Sequence, residues 1–270
     1  MGRLDSILIV GCGNMGGAML RGWLAAGADP AGFTVVDPLL ERAPEGVTLL
    51  RDLPDGAFDA VLLGVKPQGF SDVAAKLSAQ LNPATLVLSI LAGIELDSLA
   101  TALPQARGWV RIMPNLAAAL GKSPMALAQR GLDQAGQDAV TTLVMPLGTP
   151  EWIDEAQFDL ATALVGSGPA FVYRFIDALA AGGATLGFTP EQAERLALAM
   201  VEGAAQLARQ APQSPADLAR MVASPGGTTE AGLKVLDQDQ ALEKLILQTL
   251  RAARDRGAEL AAFAASPKDT

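Results

Sequence analysis

The feature that most constrains this chain lies at its start. A short β-rich run, Ser6-Ile-Leu-Ile-Val10, leads directly into Gly11-Cys-Gly-Asn-Met-Gly16. From Met15 to Ala26 the pattern turns helical, with Met19, Leu20, Trp23 and Leu24 on one stripe. A strand, a G-x-G-x-x-G turn and a helix in that order form the dinucleotide-binding arrangement in its required context. Gly11 permits the tight turn, Gly13 lets a pyrophosphate approach the backbone, and Gly16 allows close helix–strand packing. Such a unit needs further parallel strands with crossover helices.

The rest of the first half supplies them. Phe33–Val36 reads as the second strand and ends at Asp37, about twenty residues past Gly16, where an acidic residue reaches the ribose hydroxyls. The alternative is a helix-capping Asp before Pro38, and Arg42 is the one cation nearby in sequence. Ala60–Val65 is a continuous apolar run, as in a strand buried on both faces. Lys66 and Pro67 follow it at the carboxyl end, where open α/β sheets bind ligands, although Lys66 also fits a solvated surface lysine. Leu86–Leu91 ends in Ala92-Gly93, and Trp109–Met113 leads to Pro114-Asn115. Asn115 suits either a nicotinamide carboxamide contact or a loop cap. Two shorter strands are expected around 124–129 and 151–153, with a helix between them from about 132 to 145. The pattern predicts an α/β Rossmann-type doubly wound sheet of at least six strands. Cys12 reads as a small filler in a loop without a basic neighbour.

The character changes near Glu155, and from Asp159 onward no strand is expected. Helices are predicted over 159–186, 189–209, 214–222, 228–236 and 240–263, followed by a loose tail from Ala264 to Thr270. Thr189-Pro190-Glu191-Gln192 has the residues of a capping box. Gly166-Ser167-Gly168-Pro169 interrupts the first helix, and Pro169 is expected to kink it. Ser224-Pro225-Gly226-Gly227 forms a hinge that ends on a helix N-terminus near Thr228. Free N–H groups, the helix dipole and three hydroxyls (Ser224, Thr228, Thr229) suit a small carboxylate. A plain Gly-Gly turn with a Thr cap is the competing reading.

Composition excludes several classes. Net charge is −9 with no basic block, which argues against nucleic acid or an anionic membrane as partner. No run supplies the roughly 20 apolar residues of a membrane span. One cysteine allows no intrachain disulfide, and without histidine every histidine-base mechanism is excluded and a metal site is not expected. A cytoplasmic location follows as an expectation.

The stretch Pro215-x-x-Leu218-x-x-x-Val222-Ala-Ser-Pro-Gly-Gly-x-Thr229 resembles the signature of the pyrroline-5-carboxylate reductase family. Gly-Cys-Gly-Asn-Met-Gly, Val65-Lys66-Pro67, Ser89-Ile-Leu-Ala-Gly93, Arg111-Ile-Met-Pro-Asn115 and Gly166-Ser-Gly-Pro169 extend the likeness over nearly the whole chain. The resemblance implies a dinucleotide-binding domain over 1–156 and a helical substrate-binding and dimerisation domain over 157–270. It implies reduction of 1-pyrroline-5-carboxylate to L-proline with NAD(P)H, and assembly as a homodimer or a ring of dimers. Gly11, Gly13, Asn14, Met15, Gly16, Asp37, Val65, Lys66, Pro67, Ala92, Gly93 and Asn115 are then cofactor-side residues. Ser224, Gly226, Gly227, Thr228, Thr229, Ser167 and Pro169 face the substrate. The N–H groups of Gly227, Thr228 and Thr229 would hold its carboxylate with help from Ser224, and the Thr229 hydroxyl would accept from the ring N–H.

Asp37 departs from NADPH-preferring members and favours NADH, with Arg42 as a possible compensating cation. Ser214 stands where His is frequent, and Ala219-Arg220 replaces a common Lys-Asp pair. Another imine or short-chain acid reductase of this architecture, or a non-catalytic dinucleotide-binding regulator, are the alternatives. The related β-hydroxyacid dehydrogenases use a lysine on the helical domain, whereas Lys234 and Lys244 lie outside that family's motif.

Overall fold

A computed structural model of the chain describes residues 4–78 and 81–265. Its strands are β1 (Ile7–Val10), β2 (Phe33–Val36), β3 (Thr48–Leu50), β4 (Ala60–Leu63), β5 (Leu86–Ser89), β6 (Gly108–Met113), β7 (Ser123–Arg130) and β8 (Gly148–Trp152). They form one sheet in the order β3-β2-β1-β4-β5-β6-β7-β8. Every neighbouring pair is parallel except β6 and β7. The order reverses between β1 and β4, which makes the carboxyl ends of those strands the crevice where such sheets bind ligands.

Helices α1 (Asn14–Ala25), α2 (Phe70–Ser78), α3 (Leu96–Ala102) and α4 (Gln134–Val144) accompany the sheet. Successive strand residues enter opposite layers, as the strand period requires. Ile7 and Ile9 join Met19, Leu20 and Trp23 on one side, while Leu8 and Val10 join Phe70, Leu77 and Leu99 on the other. Trp23 stacks on Phe33 at 5.4 Å and donates to Leu143 O at 2.7 Å, tying α1 to the far end of α4.

The doubly wound sheet is as expected, with two differences. β3 escapes the sequence pattern because it has three residues and only partly buried leucines. β7, expected as a shorter strand, is the longest, since its antiparallel pairing with β6 extends from Met113↔Ala126 to Trp109↔Arg130.

Helices α5 (Phe158–Ala161), α6 (Gly168–Thr185), α7 (Pro190–Gln210), α8 (Pro215–Val222), α9 (Thr228–Asp237) and α10 (Ala241–Ala265) follow. Among the described residues no strand lies beyond β8. Thr189 and Gln192 form the expected capping box on α7, and the Ser214 hydroxyl caps α8 through Asp217 N at 3.1 Å. The expected proline kink is corrected. Pro169 lies in the first turn of α6, where a missing N–H loses no helical bond, and the break comes from a π-helical turn over Thr162–Gly166. Ala264 and Ala265 end α10 rather than starting a tail, and the remainder of the expected tail lies outside the described residues.

Contacts divide the chain into two compact units. One holds residues up to Gly166 and from Ala253 onward, and the other holds Ser167–Ala252. The boundary expected at 156/157 falls inside the first unit, ahead of α5.

In the first unit the Arg111 side chain is buried on β6. It ion-pairs with Glu155 at 2.9 Å and lies 3.8 Å over the Phe158 ring. Glu155 also accepts from Leu96 N at 2.7 Å, so one carboxylate ties β6 to the start of α3. In the second unit α6 packs against α7, and among the described residues only Ala193 and Ala197 are buried.

Candidate active site

The first unit carries a cavity of about 1330 Å³ at the carboxyl ends of β1, β2 and β4. Gly11, Gly13, Asn14, Asp37, Val65 and Lys66 line it, so six of the expected cofactor residues meet there. Met15, Gly16, Pro67, Ala92, Gly93 and Asn115 are not in its lining.

The residues fit a dinucleotide. Gly11 has φ +85°, and a Cβ there would sit 2.6 Å from Val65 N, so only glycine allows the β1 and β4 loops to approach. A Cβ on Gly13 would meet nothing within 4 Å, which leaves the backbone face open. Gly13 caps α1 without a side-chain bond, and the first-turn N–H groups have no acceptor among the described residues. That is the donor set an anionic pyrophosphate needs.

Asp37 occupies the expected place at the end of β2. Its Oδ2 accepts from Cys12 N at 2.8 Å, and its Oδ1 accepts from Leu39 N at 2.8 Å and Leu40 N at 3.1 Å. It fastens a turn, and no helix begins at Pro38 for it to cap. Arg42 is not the one cation nearby. Arg21, Arg51, Lys66 and Lys76 share the cavity with it. Arg51 follows β3, so only recognition of that three-residue strand would have placed it beside Asp37. Cys12 is buried as expected but does have a basic neighbour. Burial and then the Asp37 carboxylate push its thiol up, and Arg21 opposes them.

Of the two roles open to Asn115, the cap is present. Its Oδ1 accepts from Ala117 N at 2.9 Å and its Nδ2 donates to Val165 O at 3.1 Å.

In the second unit the hinge ends on α9 as expected. Gly226 has φ +71°, and a Cβ on Gly227 would lie 2.5 Å from Ser224 Oγ. The donors differ from expectation. Gly226 N donates to Glu230 Oε2 at 2.7 Å and Gly227 N donates to Ser224 O at 2.9 Å, so both are used within the turn. Thr228, Thr229 and Glu230 N–H have no acceptor among the described residues. Neither threonine caps α9: its N-cap is Gly227, without a side-chain bond. Ser224 and Thr229 are exposed.

Glu230 was not anticipated. Its place three residues into a helix behind a Gly-Gly turn is the signal that marks it. Lys234 pairs with it at 3.3 Å. Arg220, a cation close to this stretch in sequence, is held by Asp217. The Ser214 hydroxyl, and after it Arg220, keep the Asp217 carboxyl below its usual range. Ser167 precedes α6 and makes no side-chain cap, and Pro169 lies in that helix's first turn.

Two family models match separate parts of the chain. Residues 155–260 match the family model "Pyrroline-5-carboxylate reductase dimerisation", and residues 6–93 match "NADP oxidoreductase coenzyme F420-dependent". The chain is 38% identical to pyrroline-5-carboxylate reductase of Pseudomonas aeruginosa, over 94% of this chain and 96% of that protein. A solved pyrroline-5-carboxylate reductase from Coxiella burnetii superposes with TM-score 0.88 at 31% identity, covering 96% of this chain and 99% of that one. The Plasmodium falciparum enzyme with NADP bound shares the fold, with TM-score 0.81 at 22% identity over 96% of this chain and 100% of that one. At this identity over nearly its full length, the chain belongs to the pyrroline-5-carboxylate reductase family.

Proposed function

We propose that the chain reduces 1-pyrroline-5-carboxylate to L-proline by hydride transfer from NAD(P)H, the last step of proline biosynthesis. Family membership over 94% of the chain carries this reading. The glycine-turn cavity on the first unit and the open N-terminus of α9 on the second supply the two kinds of binding surface it needs.

A nicotinamide cofactor, when bound, supplies the hydride. The chain's own residues bind and orient. Thr228 N and Thr229 N offer paired donors to the substrate carboxylate, strengthened by the positive end of α9. Gly226 and Gly227 act through shape: the turn they permit brings the Ser224 hydroxyl to the same end. Ser167 and Pro169, at the start of α6, complete the substrate-side set. The Thr229 hydroxyl accepts from the ring N–H and fixes the ring's orientation. As the imine carbon gains hydride, the C=N π pair moves to nitrogen and discharges it. A substrate that arrives protonated therefore needs no proton donor from a chain that has no histidine.

On the cofactor side, Met15 and Gly16 complete the first turn of α1. Lys66 and Pro67 follow β4, Ala92 and Gly93 follow β5, and the second Nδ2 proton of Asn115 remains for a carboxamide. Asp37 borders the adenosine end of the cavity and favours NADH by repelling a 2′-phosphate. Residues 157–270 act as the substrate-binding and dimerisation domain, with a homodimer as the unit and a ring of dimers as the assembly. Among the described residues no helix is long and apolar enough to cross a membrane. The acidic charge and single cysteine support a cytoplasmic enzyme without a nucleic-acid partner.

The decisive assay offers purified protein NADH or NADPH with a panel of cyclic imines and keto acids. Rapid oxidation with the five-membered imino acid alone is expected. Cofactor binding without turnover on any of them would instead indicate a regulator.

A further inference from the structure

Asp37 and Arg51 stand side by side because β2 and β3 pair in parallel with Val36 opposite Leu50, and each residue is the next beyond its strand. Asp37 N donates to Leu50 O at 3.2 Å, closing the pair. Arg51 Nη1 donates to Asp37 O at 2.8 Å and to Leu40 O at 2.6 Å, which uses both protons of that nitrogen. Its Nη2 and Nε have no partner among the described residues. Three backbone N–H groups meanwhile surround the Asp37 carboxylate. Both side chains border the same cavity.

We propose that Arg51 is the residue that admits a 2′-phosphate on the adenosine ribose, so that cofactor choice is a balance of Asp37 against Arg51. This rests on the reading of the cavity as the cofactor site. A 2′-phosphate beside Asp37 needs a cation with free donors. Arg51 is already anchored with two donor nitrogens in hand, and a guanidinium matches phosphate geometry. Arg42 borders the cavity too, but it has no anchoring bond among the described residues and must give up its rotamer freedom on binding. Arg51 therefore tempers the preference that Asp37 sets.

The test compares Arg51→Gln and Arg51→Lys with the parent protein. Gln removes the charge while staying polar, and Lys keeps the charge. Calorimetry measures adenosine 2′,5′-bisphosphate and AMP on protein without cofactor, and kcat/KM is taken with NADPH and NADH. Arg51→Gln is expected to weaken the bisphosphate and NADPH by about ten-fold or more, the worth of one charge-assisted hydrogen bond. AMP and NADH should stay nearly unchanged, and Arg51→Lys should recover much of the bisphosphate affinity. Equal losses on both members of each pair would overturn the proposal by making Arg51 only a clasp for the turn. No loss on either would overturn it by passing the role to another cation. A parent protein that binds neither fragment would remove the cofactor site from this cavity, a different failure.

Discussion

The two units bury their apolar residues differently. In the first, β1, β4 and β5 are buried at every position, and Leu62 and Leu88 are 0% exposed. In the second, Tyr173 is 67% exposed, Leu186 90% and Val235 69% in the isolated chain. The sheet closes its own core, because crossover helices cover both faces. The helical unit packs α6 on α7 and leaves broad apolar faces in water, more than a solitary soluble domain keeps. A closed core can thus be specified within one chain, whereas the helical unit, which overlaps the match to the family's dimerisation model, leaves apolar faces of the kind that self-association covers.

That contrast can be broken at its strongest point first. Phe175→Glu on α6 places a charge on an exposed apolar face. If that face is buried between copies, association should weaken by about a thousand-fold or more, since an unpaired buried charge costs several kcal/mol. Sedimentation across a dilution series reads this directly. A 27.8 kDa monomer already in the parent protein at micromolar concentration would break the comparison.

Leu88→Ala tests the other half. It should cost about 2–5 kcal/mol through a cavity in the sheet core. The fall in melting temperature should not vary with protein concentration, unlike that of Phe175→Glu. A concentration-dependent loss would mean that the sheet also relies on a partner.

Thr229→Ala should lower kcat/KM by ten- to hundred-fold, as expected from losing a hydrogen bond of about 1.5–3 kcal/mol to a charged group. Cofactor affinity and melting temperature should hold, because α9 draws no side-chain cap from this residue. Thr229→Ser should retain much of the activity. Near-normal turnover in the alanine variant would leave the carboxylate cradle as the turn's role.

The smallest effect is expected in the first unit. Asp37→Ser should shift the NADH-to-NADPH ratio toward NADPH by about ten-fold. Measuring both cofactors in one assay checks it, and an unmoved ratio would take selectivity away from the end of β2.

Much of this was legible in short stretches of sequence. The strand, glycine turn and helix at 6–26 and the capping box at Thr189 depend on residues a few positions apart. Their geometry follows from local propensity and φ/ψ limits, so periodicity and glycine placement suffice. The Gly-Gly hinge before α9 was readable for the same reason, although which of its N–H groups stay open was not. Gly226 N is taken by a carboxylate one helical turn away, a side-chain choice that no spacing rule states.

What the tertiary structure decided are the pairings between distant residues. Arg51 meets the Asp37 loop only because a three-residue strand adds to the sheet beside β2. Arg111 finds Glu155 and Phe158 because β6 is buried against the chain that leaves β8. The sequence by itself determined the class of each unit and the elements that carry the binding turns, since these rest on local backbone preference. It could not determine the charge balance where Asp37 and Arg51 border the cavity. That balance arises from strand register, which is settled by the burial of the whole sheet and not by the residues on either side of it.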